Sequence, residues 1–110
     1  MAWSGAGRPD GRRRRRSPEQ DLVQAPCRRA AVALGYHVYH LSQPRATMQT
    51  EGLADDLYLG HGRLLAVEYK YGRNRQTATQ QAFQAAWEAN GGRYLCVRSV
   101  GELLEALDHA

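Results

Sequence analysis

At 110 residues the chain has room for one compact domain with one core and none for a separate recognition domain, so specificity is expected from this domain, an oligomer or a partner. No apolar run approaches the roughly 20 residues of a membrane span, and the arginine-rich N-terminus lacks the apolar stretch of a secretory signal, so the expectation is a cytoplasmic protein without a membrane partner. The net charge of +4 is unevenly placed: residues 1–17 carry Arg8 and Arg12 to Arg16 against Asp10, a balance of +5, while the nine cations and ten acids that follow give −1.

Residues 1–16 are therefore expected to be a disordered basic tail, whose charge suits either a phosphate backbone or plain solvation, ahead of a folded domain over 17–110. The domain opens at Ser17-Pro18-Glu19-Gln20, where serine as N-cap, proline at the first helical position and Gln20 as reciprocal partner form a helix-start signature. Leu22, Val23, Ala30, Ala31, Val32 and Leu34 give the helix its apolar positions, and Gly35 ends it. Pro26 lacks an amide hydrogen and opposes the carbonyl four residues back, so a kink or break is expected near Ala25.

Tyr36 to Leu41 reads as a strand, and a polar stretch from Ser42 to Gly52 follows. Asp56 to Leu59 and Arg63 to Tyr71 then read as a hairpin around Gly60-His61-Gly62. A two-residue turn pairs Gly60 with Arg63 and places Asp55 opposite Glu68; a three-residue turn puts Asp56 beside Ala66 instead. Both aspartates stay open as candidates. After the basic loop Gly72-Arg73-Asn74-Arg75, a second capping box at Thr77-Ala78-Thr79-Gln80 starts a helix whose buried face is Ala82, Phe83, Ala86 and Trp87. Gly91-Gly92 caps it, Arg93 to Arg98 reads as a short buried strand, and Ser99 with Glu102 starts a last helix carrying Leu103, Leu104 and Leu107. The order α-β-β-β-α-β-α, with a strand-helix-strand crossover at its end, predicts an α/β fold with a mixed central sheet and helices on both faces.

The chemistry gathers in Glu68-Tyr69-Lys70. Lys70 is the only lysine beside fourteen arginines, and strand alternation puts it on the same face as Glu68. Leu64 and Ala66 share that face and make it partly apolar, where unpaired charge is costly. A same-face ion pair would satisfy these residues structurally; an added carboxylate on the preceding strand makes them suited to metal-assisted phosphodiester cleavage. Arg73 and Arg75 flank this point and can grip phosphates or stay solvated. Cys27 and Cys96 lack metal-ligand spacing and are expected to be buried small residues. The four histidines show no zinc-enzyme spacing, and Tyr36, Tyr39, Phe83 and Trp87 are expected in the core.

Taken together, Gly52-Leu53-Ala54-Asp55, Glu68-Tyr69-Lys70 and Thr77-Ala78-Thr79-Gln80, with Gln43-Pro44-Arg45-Ala46-Thr47 upstream, resemble the VRR-NUC family of the PD-(D/E)xK nuclease superfamily over about residues 17–107. The resemblance implies a restriction-endonuclease-like αβββαβ core and a DNA endonuclease, possible in a Holliday-junction or flap-selective form and as a homodimer. It implies Mg2+ or Mn2+ held by Asp55, Glu68, the carbonyl of Tyr69 and Glu19, with Asp55, Glu68 and Lys70 catalytic and no organic cofactor. Arg45, Arg73, Arg75 and Gln80 are the positions it turns toward DNA, although Gln80 is equally explained as a cap. Three departures stand out: Ala54 replaces the usual proline, Asp56 replaces an apolar residue, and Pro26 interrupts the helix carrying Glu19. They leave room for an alternative, a catalytically inactive nucleic-acid-binding module with a nuclease fold.

Overall fold

Residues 17–41 and 51–109 are described by a computed structural model. The expected tail over 1–16 and the stretch 42–50, Arg45 included, lie outside them. The chain enters through a π-helical segment, Gln20–Gln24, that runs directly into α1 (Ala25–Ala33). The expected capping box is present: the Ser17 amide donates to Gln20 Oε1 at 2.9 Å and the Gln20 amide to Ser17 Oγ at 3.2 Å. Pro26 does not end the helix. The Ala25 amide reaches back five residues to the Gln20 carbonyl, and the wider turn precedes the ring whose missing amide would have broken a regular ladder.

Four strands then form one sheet in the order β1 (His37–His40), β2 (Asp56–Gly60), β3 (Arg63–Tyr69), β4 (Arg93–Val97). The first two pairings are antiparallel, and β3 pairs with β4 in parallel through the crossover helix α2 (Ala78–Ala89). α3 (Val100–His109) closes the described chain. His61 and Gly62 form the hairpin turn with φ of 52° and 73°, the double positive φ that a two-residue turn of type I′ needs. Gly60 consequently pairs with Arg63 and Asp56 with Val67, which sets Asp55 across from Glu68 and excludes the three-residue turn.

Strand alternation sorts the core into two layers. On one face Tyr58, Leu65, Val67, Tyr69 and Val97 pack against Val23, Cys27 and Ala31 of the first helix and Leu103 and Leu107 of α3. The other face is thinner: Ala54, Ala66 and Tyr94 are buried there beneath the partly buried Phe83 and Trp87 of α2. This is the expected mixed α/β sheet with helices on both faces, a restriction-endonuclease-like core. Two expectations fail at sheet edges. Tyr39 on β1 is 54% exposed, because α2 packs on β4 at the opposite edge. Cys27 is buried as expected, but Cys96 is exposed, on an edge strand with a neighbour on one side only. Among the described residues, no helix is long and apolar enough to cross a membrane.

Candidate active site

Asp55 is fixed through its backbone from both neighbouring strands. Its carbonyl accepts the Leu41 amide at 2.8 Å, and its amide donates to the Val67 carbonyl at 3.1 Å. Its carboxylate Oδ2 accepts the backbone amide of Tyr69 at 2.9 Å. Across the strand, the Glu68 side chain is completely buried. Its Oε1 accepts the Tyr94 hydroxyl at 2.5 Å and the Gln76 side-chain amide at 2.9 Å. Its Oε2 lies 2.9 Å from Lys70 Nζ as an ion pair, but out of hydrogen-bonding alignment, and is a buried oxygen without a hydrogen-bond partner.

Lys70 Nζ also donates to Gln80 Oε1 at 2.9 Å, with a side chain only 12% exposed. That same oxygen accepts the Thr77 amide at 2.9 Å, while Thr77 Oγ1 accepts the Gln80 amide at 3.2 Å, so the second capping box is also present. Gln80 thus ties the start of α2 to the lysine. Gly52 joins the same corner. Its φ is +88°, and a Cβ there would fall 2.5 Å from the carbonyl oxygen of Thr79. Only glycine permits the strand leading to Asp55 to lie this close to the helix start.

Glu19, on the first helix, senses the same group of charges. Burial raises its pKa first, the negative charges of Asp55 and Glu68 raise it further, and Lys70 and a hydrogen bond with Gln24 pull against them. Burial and the bond to Glu68 likewise push the Tyr94 phenol up, so it is a hydrogen-bond donor at any physiological pH. Arg73 and Arg75 are exposed on the loop after β3, and Arg98 Nη1 anchors that loop by donating to the Gly72 carbonyl at 2.8 Å.

Asp56 is not part of this group. It projects to the α1 face, where its fully buried carboxylate accepts Arg28 Nε at 2.7 Å and Arg28 Nη2 at 3.0 Å. The Tyr69 hydroxyl donates to its Oδ2 at 2.5 Å, and His40 Nδ1 lies 3.0 Å from its Oδ1. Burial opposes the Arg28 charge, yet Asp56 outweighs it and the guanidinium pKa is raised. An acid at a position expected to be apolar is accounted for by this bidentate pair. Between the two aspartates left open by sequence, the geometry brings Asp55 alone to Glu68.

Sequence reasoning missed Gln76, Tyr94 and Arg28. The parallel register pairs Tyr94 with Ala66, which puts its phenol on the Glu68 face. The one available signal was general: a carboxylate on a buried strand face must find hydrogen-bond donors.

The donor set fits a hard divalent cation. Paired carboxylates from adjacent strands, with one buried carboxylate oxygen lacking a hydrogen bond, are the oxygen ligands magnesium and manganese take. Among the described residues, however, no three or more His, Cys, Asp or Glu side chains converge as a ready-made metal cluster. Glu19 contributes charge near the pair without completing such a set.

No protein-family model matches the chain, and no curated protein matches it. Among solved structures, a chain described as a VRR_NUC domain shares the fold, with a TM-score of 0.70 at 23% identity over 86% of this chain and 98% of that one. At that identity the likeness concerns the fold alone.

Proposed function

We propose that this protein is a metal-dependent nuclease that hydrolyses phosphodiester bonds in DNA, with Asp55, Glu68 and Lys70 as its catalytic residues. The observation that carries the reading is the Glu68 carboxylate. It is wholly buried, one oxygen is fixed by Tyr94 and Gln76, and the other has no hydrogen bond beside the ammonium of Lys70. A buried carboxylate needs positive charge beside it; the Lys70 ammonium 2.9 Å from Oε2 supplies part of that balance, and a divalent cation would add to it. Asp55, oriented by the Tyr69 amide, would hold the ion with Glu68, the Tyr69 carbonyl would add a neutral oxygen, and Glu19 adds negative potential. A divalent ion supplies charge neutralisation at the phosphate and activation of water.

The protein's own residues do the rest. Lys70 is held between Glu68 and Gln80 and presents an ammonium that can donate to a phosphate oxygen or to the attacking water. Arg73 and Arg75, with Arg45 from outside the described residues, would grip flanking phosphates. Gln80 spends its carbonyl oxygen on Lys70 and on its own cap, so we assign it first to orienting the lysine.

The test is cleavage of labelled duplex, single-stranded, flap and four-way-junction DNA with Mg2+ or Mn2+. Lys70→Ala and Asp55→Asn are each expected to lower the rate by about 10²–10³-fold while thermal unfolding stays cooperative. Undiminished cleavage by both variants would place the activity elsewhere. A second reading, a binding module without turnover, draws on the ion pair already occupying Glu68 and on the absence of a three-residue cluster among the described residues. It predicts metal-independent DNA binding and no product.

We further propose a homodimer built on the α2 face. None of the residues of α2 is buried, and an apolar groove of about 400 Å³ runs between Leu64, Phe83, Trp87 and Gly92. Leu64 and Tyr39, on the same sheet face, are 49% and 54% exposed. Two such copies would present two sites to a symmetric substrate such as a Holliday junction.

A further inference from the structure

The Asp55–Glu68 pair has a counterpart on the opposite face of the sheet. Tyr69, between Glu68 and Lys70, faces α1, where its ring is 1% exposed. Its hydroxyl donates to Asp56 Oδ2 at 2.5 Å and lies 2.7 Å from the Tyr58 hydroxyl. Its backbone amide, meanwhile, donates to Asp55 Oδ2 at 2.9 Å on the other side. Asp55 and Asp56 are adjacent, so a closed circuit runs through the sheet: Asp55 carboxylate, Tyr69 amide, Tyr69 phenol, Asp56 carboxylate, and back along the chain to Asp55. Arg28 fastens the circuit from α1 with two hydrogen bonds to Asp56.

We propose that Arg28, Asp56 and the Tyr69 side chain are positioning residues that set the Asp55 carboxylate and the Tyr69 backbone for cation binding on the far face. A partly buried ion pair with an attached phenol is weak evidence of a purely stabilising role, since apolar residues of similar volume often do as well at that task. It is well suited to register. A slip of one residue between β2 and β3 would separate Tyr69 from Asp56 and at the same time carry Asp55 away from Glu68. The polar groups on the buried face and the carboxylates on the open face therefore report on the same alignment. Arg28 extends that alignment to the helix whose N-terminal turn carries Glu19, so the three acids that share one field are referred to a common frame.

The inference rests on the proposed metal site, and Tyr69→Phe tests it in the full chain. Tyr58→Phe is the matched control, because it removes a hydroxyl from the same buried network but leaves Tyr69 bonded to Asp56. Tyr69→Phe is expected to speed amide hydrogen exchange at residue 69 and weaken Mn2+ binding, read by the resonance of free Mn2+, each by about tenfold. On cleaved DNA, kcat should fall about tenfold with KM within about twofold, and Tyr58→Phe should stay within about twofold in every readout. Arg28→Lys, which keeps the charge but loses the second hydrogen bond, should move the same quantities in the same direction and decides the matter if Tyr69→Phe does not fold. The proposal is overturned if residue 69 exchanges at the wild-type rate in Tyr69→Phe, or if Tyr58→Phe has equal effects. Wild-type protein that neither binds Mn2+ nor cuts DNA would refute the nuclease reading, while the exchange comparison would still decide whether the circuit holds Asp55.

Discussion

Glu19 illustrates what the clustered charges cost before any cation is present. Its carboxyl is held above the ordinary value of 4.5, by burial first and then by Asp55 and Glu68, so the folded chain binds that proton more tightly than the unfolded one. Stability contributed by this group is therefore greatest at low pH and is lost as pH rises from the unfolded value through the folded one. Above that window the full penalty remains. Glu19→Gln is accordingly expected to raise the melting temperature of metal-free protein at neutral pH, with the advantage vanishing below pH 4.5. Melting curves across that range check it; a variant less stable than wild type at neutral pH would show that the carboxylate is not under strain. Asp56 is more deeply buried, and Arg28 meets it with two donors. Sequence could not separate the two aspartates, since adjacent residues on a strand differ only in face. The length of a turn five residues away decided between them.

At the scale of elements, Gly52 links two motifs that sequence placed far apart. The glycine three residues before Asp55 packs on Thr79, inside the capping box that leads to Gln80 and hence to Lys70. Gly52→Ala meets both a backbone atom and an unfavourable φ, and is expected to cost about 2 kcal/mol or more, a fall of roughly 10 °C in melting temperature. Gly62→Ala is the comparison, with φ +73° but nothing within 4 Å of an added Cβ, and should cost about 1 kcal/mol. Equal losses in the two variants would remove the packing argument. The two capping boxes were legible because their signals are local, Ser17–Gln20 and Thr77–Gln80 each lying within a few residues, whereas the hairpin was legible but not the length of its turn. The partners of Glu68 were not, because Tyr94 reaches it only through a parallel pairing 26 residues away. Pro26 marked the right place, but the sequence did not say that the helix would widen into a π turn there instead of breaking.

For the whole molecule, the two sheet faces are unequally covered. Among the described residues, the first helix and α3 bury a continuous layer on one side, whereas α2 is the covering helix on the other, where Leu64 and Tyr39 are about half exposed. Exposed apolar side chains beside a groove lined by Leu64, Phe83 and Trp87 are the kind of surface that marks an interaction site. If the occupant is a second copy, sedimentation at tens of micromolar should report two chains of 12.3 kDa. Leu64→Glu combined with Tyr39→Glu should then give monomers that melt within about 1 kcal/mol of wild type, since neither side chain is in the buried layer and surface changes are usually small. The monomeric variant keeps Asp55, Glu68 and Lys70 intact, so Mn2+ binding should persist while paired incision across a four-way junction is lost. A wild-type chain that sediments as a monomer at every concentration would eliminate the dimer, and the exposed sheet face would then have to be covered by something other than a second copy.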